Sequence, residues 1–578
     1  MIDTTNRNTA LASALIEELA RCGVTRAVLS PGSRSSPVAL ALDREPGIDL
    51  SVVLDERSAG FVALGSALAS GEPAIVACTS GSAAANLHPA IAEADQAGVP
   101  LIVLTSDRPP ELRGIGAGQT IDQIGLYGSA ARWFCEVGTH EADDAGLLHM
   151  RSTGCRAYGE ATAGRGPCHL NLAWRDPLGP EAAPYHVTAT DPLALDGRTG
   201  KRPLTVPIAG REAGEELLAA LAEAIQSAER GLIVAGRHPD PDLAEALAAL
   251  AAVSGFPILA EPTSQLRFGA HDRGLVCSAY DLIARERPTS LAPELILRFG
   301  DMPTSKPLRA WIDASGAEQI VVDTPGRWNE PSRRAGAFVR ADGLSVALAL
   351  AERADRAPGE WSARWTEAEA AAQAAIDDAL ASTEELSEPG VHRALGAAFG
   401  EGEQVLLASS MAIRDAESFL QGGDASVRFF SNRGANGIDG LVSTASGLSL
   451  GSGAPTWAVL GDLALAHDLG GLATLAATEG PMRIVVIDNG GGGIFDFLPQ
   501  ADQVEQERFE RLFTTPSRLD LERAADLFEI PYAPVLGLAD LAALGNRDRV
   551  LAHVRVEREG NVGLHRGIAA AVASALPR

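Results

Sequence analysis

At 578 residues, 46% of them hydrophobic, the chain is long enough for about three domains, each with its own buried core. Acidic residues outnumber basic ones, 75 to 48, and the formal net charge of −27 argues against general nucleic-acid or anionic-membrane binding. Small anions held by local arginines remain compatible with it. The six cysteines, Cys22, Cys78, Cys135, Cys155, Cys168 and Cys277, form no C-x-x-C pair and read as free thiols in a reducing compartment. Near the start, Leu11, Leu15, Ile16 and Leu19 describe an amphipathic helix with Glu17 and Glu18 on its polar side, unlike a secretory signal. No uninterrupted apolar stretch is long enough to span a bilayer, so a cytoplasmic protein is expected.

Residues 1–180 alternate helix and strand and predict a doubly wound α/β domain. The strand Ala27–Leu29 runs into Ser30-Pro31-Gly32-Ser33-Arg34-Ser35-Ser36-Pro37, a hydroxyl-rich loop whose single arginine suits a carboxylate or phosphate. An apolar strand, Leu50–Leu54, ends in Asp55-Glu56-Arg57 before a small-residue helix, Ala59–Ala69. Glu56 is either an acid at a helix N-terminus or a strand-end carboxylate pointing into a cleft. Strands at Ala74–Cys78 and Leu101–Leu104 follow, the second leading to Thr105-Ser106-Asp107-Arg108-Pro109-Pro110-Glu111. Two prolines stiffen that loop and hold Arg108, and the polar stretch Gly114–Gln123 brings Gln119 towards the same edge.

Residues 176–208 are rich in Pro, Asp and Thr and read as a linker. A second α/β domain, 209–350, has strands at Leu232–Val234, Leu295–Leu297 and Ile320–Val322, and the loop after the second of these carries Lys306. An alanine-rich, charged helical connection, Ala351–Leu386, leads to a third α/β domain, 387–578. Its strand Gln404–Leu407 runs into a turn bearing Ser410 and Arg414, and Val427–Phe430 into Ser431-Asn432-Arg433-Gly434-Ala435-Asn436-Gly437-Ile438-Asp439-Gly440. Next comes Gly461–Pro499, read as strand end, acidic turn, helix, strand and glycine turn. Asp462 and Asn489 lie a βαβ length apart, which places both turns at one sheet edge. A carboxylate and an amide oxygen suit Mg²⁺, and the glycines Gly490–Gly493 let backbone N–H groups approach a diphosphate. The fold class is therefore α/β, with three doubly wound parallel-sheet domains.

Gly461-Asp462-Leu463, then 24 residues, then Asp488-Asn489 and glycines resembles the thiamine diphosphate signature, Gly-Asp-Gly followed by Asn-Asn. Within that superfamily SPGSRSSP, TSDRPPEL, TSK after GDMP, SNRGANGIDG and NGGGGIF resemble the menaquinone-pathway MenD family, from Pro31 to Pro499. The resemblance implies pyrimidine-binding, central and diphosphate-binding domains, and thiamine diphosphate with Mg²⁺ (Mn²⁺ as a substitute) bound between two subunits. A homodimer or homotetramer is thus expected. It implies decarboxylation of 2-oxoglutarate and a Stetter-like 1,4-addition of the succinic semialdehyde unit to isochorismate.

The same resemblance assigns residues. Glu56 matches the glutamate at the cofactor's pyrimidine nitrogen, and Asp462, Asn489 and the Gly491 carbonyl match the metal ligands. Ile438 matches the apolar residue under the folded cofactor, with Ile494 and Phe495 beside it. Ser410, Arg414 and Arg433 would hold 2-oxoglutarate; Ser33, Arg34, Arg108, Gln119 and Lys306 would face isochorismate; Phe495 and Leu498 would supply apolar wall. No histidine occupies a position suited to proton transfer, so the cofactor, water and Gln119 are the candidates for it. Departures from the pattern are Leu463 and Asp488 within the signature, Gly118 where some members carry Asn, and Pro307 where some carry Arg. The competing readings are an acetolactate synthase-like carboligase and a catalytically silent cofactor-binding regulatory protein. The carboxylate-binding arginines argue against the first, and retention of Glu56, Asp462 and Asn489 against the second.

Overall fold

Continuous apolar runs such as Ala74–Cys78 and Ile484–Ile487 predict strands covered on both faces, and parallel sheets with flanking helices satisfy that demand. A computed structural model describes residues 2–206, 212–323, 328–382 and 385–577. They fall into two units: Met1–Ala209 with Asn432–Gly453 and Asp468–Glu479, and Gly210–Ser431 with Ala454–His467 and Gly480–Arg578.

The first unit holds a six-stranded parallel sheet of β1 (Arg26–Leu29), β2 (Asp49–Val52), β3 (Ala74–Cys78), β4 (Leu101–Asp107), β5 (Trp133–Gly138) and β6 (Pro167–Ala173), in the order β2-β1-β3-β4-β6-β5. Strands β3, β4 and β6 are wholly buried, whereas β2 is a partly exposed edge. The strand expected to reach Leu54 stops at Val52, because Leu54 projects into solvent and Asp55 caps the helix Glu56–Ser70 through the amides of Arg57 and Ser58.

The opening helix, Arg7–Cys22, buries Leu11, Leu15, Ile16 and Leu19 as their spacing predicts. Glu18 departs from the expected polar face: it is fully buried, 2.9 Å from Arg151 of the helix Asp144–Gly164. Arg151 also meets Glu17 at 2.8 Å and donates to the carbonyl of Ala194. A counter-charge from a distant helix is what permits a carboxylate inside. The stretch read as a linker is likewise packed. Val187 bridges to Ala142, and Ala194 is fully buried in the core of this unit. Positions 207–211, around the expected start of the next domain, lie outside the described residues.

Glycines decide how the helix Glu56–Ser70 meets Leu441–Ser452. A Cβ on Gly65 would lie 2.1 Å from the Thr444 carbonyl oxygen, and one on Gly447 2.1 Å from that of Val62. Ser66 Oγ donates to the Gly447 carbonyl at 3.1 Å. Only glycine permits backbones this close.

The second unit holds two six-stranded parallel sheets. One comprises β7 (Gly231–Ala235), β8 (Ile258–Ala260), β9 (Val276–Cys277), β10 (Leu295–Phe299), β11 (Glu318–Val322) and β12 (Ala337–Val339), ordered β12-β11-β10-β7-β8-β9. The other comprises β13 (Gln404–Leu407), β14 (Arg428–Phe430), β15 (Thr456–Gly461), β16 (Met482–Asp488), β17 (Tyr532–Val535) and β18 (Arg549–Arg555), ordered β14-β13-β15-β16-β18-β17. This last order repeats the permutation of the first sheet. The helix Glu360–Ala381, read as part of a connection, places Trp365, Ala368, Ala372 and Ile376 in a core shared with Trp311, Ile568 and Val572. Residues 383–384 of that connection lie outside the described residues. No helix of the described residues is long and apolar enough to cross a membrane.

Gly447→Val should lower stability by about 1–3 kcal/mol or more, since two backbones cannot part locally. Gly359→Ala, with no atom within 4 Å of the added carbon, should change it little. Thermal unfolding of the two variants checks the contrast.

Candidate active site

Parallel pairing of β15 with β16 sets Gly461 opposite Ile487, so the chain leaves both strands at one carboxyl edge. Asp462 opens the short helix Asp462–His467 and is 3% exposed. Its Oδ2 and the Oδ1 of Asn489 are buried acceptors without a hydrogen-bond partner. Burial, then the charge of Asp488, raises the Asp462 carboxyl to about 7. Two desolvated oxygens with nothing to accept from are costly alone, and a hard cation would satisfy both. The donor set therefore fits Mg²⁺.

The turn that follows cannot carry side chains. Gly490 and Gly491 have φ of 76° and 139°, and a Cβ on Gly491 would stand 2.4 Å from the Thr514 carbonyl oxygen. Gly492 N–H donates to that carbonyl at 2.7 Å, tying the turn to the segment Glu510–Thr514. Ile494, Phe495 and Leu498 beyond it are half-buried, and Phe495 packs on Phe513 at a ring separation of 5.7 Å. Asp488, the departure from the usual Asn-Asn pair, has its oxygens occupied: Oδ1 accepts from Gly490 N–H at 3.0 Å, and Oδ2 lies 2.9 Å from His553 Nε2. The His553 contact holds its carboxyl below the usual range, and Tyr532 OH lies 2.8 Å from the other imidazole nitrogen. Both oxygens of this aspartate are thus engaged, one by a backbone amide and one by a histidine.

One strand away, β13 runs into Ser410, whose φ of 74° turns the chain sharply into the helix Met411–Phe419. Arg414 folds back to donate to the Ser410 carbonyl and is half-buried, and burial lowers its pKa. Behind this turn is a group that sequence reading missed. Asn489 Nδ2 donates to Glu388 Oε1 at 2.6 Å, and His565 Nε2 meets Asp415 Oδ1 at 2.9 Å. Burial, then Asp415, raises the Glu388 carboxyl to about 8. Lys306, in the same unit, is exposed at the first position of the helix Lys306–Ser315.

The first unit gathers the other predicted groups. Arg108 donates to Ser80 Oγ and, at 2.8 Å, to the Gln119 carbonyl. Gln119, at φ 55°, returns its side-chain amide to the Ser80 carbonyl at 2.9 Å. Arg34 donates to the Trp174 carbonyl at 2.9 Å; burial and then its positive charge lower the pKa of Arg108. Two guanidinium groups thus share one rim, and Ser33 is exposed on the same loop as Arg34. Glu56 occupies the first turn of its helix, where Oε2 accepts from Asn86 at 3.3 Å. Arg433 and Ile438 lie on the loop leading to Leu441–Ser452. That loop is pinned by Glu93, which accepts from Gly434 N–H at 2.7 Å and Ala435 N–H at 2.6 Å. Ser80, Asn86 and Glu93 carried no sequence signal beyond being polar.

Residues 9–126 match the family model described as the thiamine pyrophosphate enzyme, N-terminal TPP binding domain, and residues 216–407 the middle domain of thiamine pyrophosphate enzymes. A 2-succinyl-5-enolpyruvyl-6-hydroxy-3-cyclohexene-1-carboxylate synthase of Myxococcus xanthus is 41% identical, covering 100% of this chain and 99% of its own. Synthases of the same name from Chloroflexus aurantiacus and Geobacillus kaustophilus are each 42% identical, covering 98% and 96% of this chain and 96% of their own.

Because the folded chain favours the protonated Asp462 carboxyl, a cation must displace a proton below pH 7. Apparent Mg²⁺ affinity, measured by calorimetric titration, should fall about tenfold per pH unit below 7 and level off above it. Gly491→Ala should abolish the binding at any pH.

Proposed function

Because the chain belongs to the 2-succinyl-5-enolpyruvyl-6-hydroxy-3-cyclohexene-1-carboxylate synthase family of thiamine diphosphate-dependent enzymes, we propose that it decarboxylates 2-oxoglutarate and joins the remaining four-carbon unit to isochorismate in menaquinone biosynthesis. The observation that carries the reading is the pair of unpartnered oxygens, Asp462 Oδ2 and Asn489 Oδ1, beside a turn that only glycine can make. Asp462, Asn489 and the Gly491 carbonyl would hold Mg²⁺, which Mn²⁺ could replace, and the glycine amides would serve the diphosphate.

Thiamine diphosphate, when bound, supplies an electron sink for the carbon that loses CO₂. The chain's own side chains do the rest. Glu56 holds a proton at the cofactor's pyrimidine nitrogen. Ile438 would support the bound cofactor, while Ile494, Phe495 and Leu498 would keep water from the reacting carbon. Arg414 and Arg433, with Ser410, orient the 2-oxoglutarate carboxylates. Arg34, Arg108, Lys306, Ser33 and Gln119 orient isochorismate, and Gln119 positions the proton that moves last. Support for this division comes from the shared Arg34–Arg108 rim, which suits a dianion despite the chain's net charge of −27. Gly118 is open, with nothing within 4 Å of an added Cβ, so the asparagine of some family members would fit there.

The working form is a cytoplasmic homodimer or homotetramer of three-domain chains (1–180, 209–350 and 387–578). Glu56 of one protomer serves the diphosphate turn of its partner. Sedimentation across a concentration series should then show loss of activity on dissociation.

Incubation with 2-oxoglutarate, isochorismate, thiamine diphosphate and Mg²⁺ should yield the coupled product by mass spectrometry. Preference for pyruvate over 2-oxoglutarate would overturn the assignment. Glu56→Gln should retain cofactor binding and slow turnover at least ~100-fold. Arg414→Ala should raise the KM for 2-oxoglutarate roughly 10–100-fold while leaving cofactor affinity intact.

A further inference from the structure

An asparagine that ligates a hard cation must present its oxygen and turn its nitrogen away, and the two ends of the amide are nearly the same shape. Something has to choose between them. At Asn489 the choice is made by Glu388, whose Oε1 accepts the Nδ2 hydrogen at 2.6 Å while Oδ1 is left open. The Glu388 proton lies on the oxygen that faces Asp415, so Oε1 only accepts, and the flipped amide would set oxygen against oxygen.

We infer that Glu388 is a positioning residue for metal binding, with Asp415 and His565 as its support. This deepens the proposed function and rests on Asn489 being a ligand. Glu388 is 2% and Asp415 1% exposed, so neither can swing into solvent. His565 Nδ1 lies 2.8 Å from the Asn561 carbonyl, and Nε2 lies 2.9 Å from Asp415 Oδ1. Both neighbours are acceptors, so the ring donates from both nitrogens and fixes Asp415 as the charged partner of an imidazolium. Candidate ligand atoms of Glu388, Asp415 and His565 lie within 4.8 Å of one another. The far Glu388 oxygen therefore faces a fixed carboxylate, and the near one is held towards Asn489. The chain of contacts runs from the helix Asn561–Ala575 through Met411–Phe419 and Glu388–Leu395 to the turn after β16. Three helices thereby hold one amide. Their residues lie far apart in sequence and form no motif.

A distinguishing feature is which substitution is tolerated. Glutamine at 388 can accept from Asn489 with its oxygen and donate to Asp415 with its nitrogen. Leucine fills the same space and accepts nothing. Calorimetric titration of the full-length chain with Mg²⁺, at saturating thiamine diphosphate, tests the role. Glu388→Gln should bind within about threefold of the unsubstituted chain, and Glu388→Leu about 10–100-fold more weakly. Thermal unfolding of both in the absence of Mg²⁺ separates positioning from packing. Equal loss of Mg²⁺ affinity in the two variants, or a Glu388→Leu chain that binds Mg²⁺ normally, would overturn the inference. So would a stoichiometry of two Mg²⁺ per chain with the second lost in both variants, which would make the cluster a metal site itself. Should Glu388→Leu not fold, Mg²⁺ binding tenfold weaker in a folded Glu388→Gln would by itself overturn the inference, and near-normal binding would support it. Absence of Mg²⁺ binding in the unsubstituted chain would instead defeat the proposed function.

Discussion

The register between β15 and β16 is the constraint on which the site depends. With Gly461 opposite Ile487, the two strands end together, and the residues just past them must share one edge. A slip of one residue would turn the side chains of a strand to its other face. Both strands are buried along nearly their whole length, which holds that register against slippage. Asp462 and Asn489 are then desolvated at the edge, and their open oxygens are a cost of folding recovered on cation binding. Asp488 escapes the same fate because Gly490 N–H serves one oxygen and His553, from the next strand β18, faces the other.

Charge follows a related logic. The chain carries a strong negative excess, yet several of the turns where strands end bear an arginine. Arg34 and Arg108 share a rim in the first unit, and Arg414 folds over the turn after β13 in the second. Each is anchored by a backbone carbonyl: Trp174 for Arg34, Gln119 for Arg108 and Ser410 for Arg414. These carbonyls fix the direction of each guanidinium; Arg34 also has Asp176 at 3.8 Å. The buried Glu18–Arg151 pair is the opposite case, with both charges spent on structure.

Much of the architecture was legible in the residues, for a physical reason. Strands covered on both faces must be continuously apolar, so Gln404–Leu407, Ala74–Cys78 and Leu101–Leu104 announce themselves, and polar turns after them mark the carboxyl edge. Local pattern does not encode partners from far away. Periodicity put Glu18 on a solvated face because Arg151 lies on another helix. Composition made residues 176–208 a linker because burial of the described part, up to 206, depends on surfaces elsewhere in the first unit. Among site residues, Asp462, Asn489 and the glycines were visible as a spaced motif. Glu388, Asp415, His553 and His565 were not, since each acts through a neighbour that only the fold supplies. Leu54 erred the other way: an apolar residue past the last paired position of an edge strand stays exposed.

The glycine-lined crossing between Glu56–Ser70 and Leu441–Ser452 bears on how the protein is made. The first unit takes its closing helices from segments hundreds of residues downstream. At synthesis rates of roughly 5–20 residues per second, the face holding Gly65 waits uncovered for tens of seconds before its partner leaves the ribosome. The nascent sheet of β1–β6 can form in that interval, but its helix layer stays incomplete. During translation the Glu56–Ser70 helix therefore carries a face that stays uncovered until Leu441–Ser452 has been made.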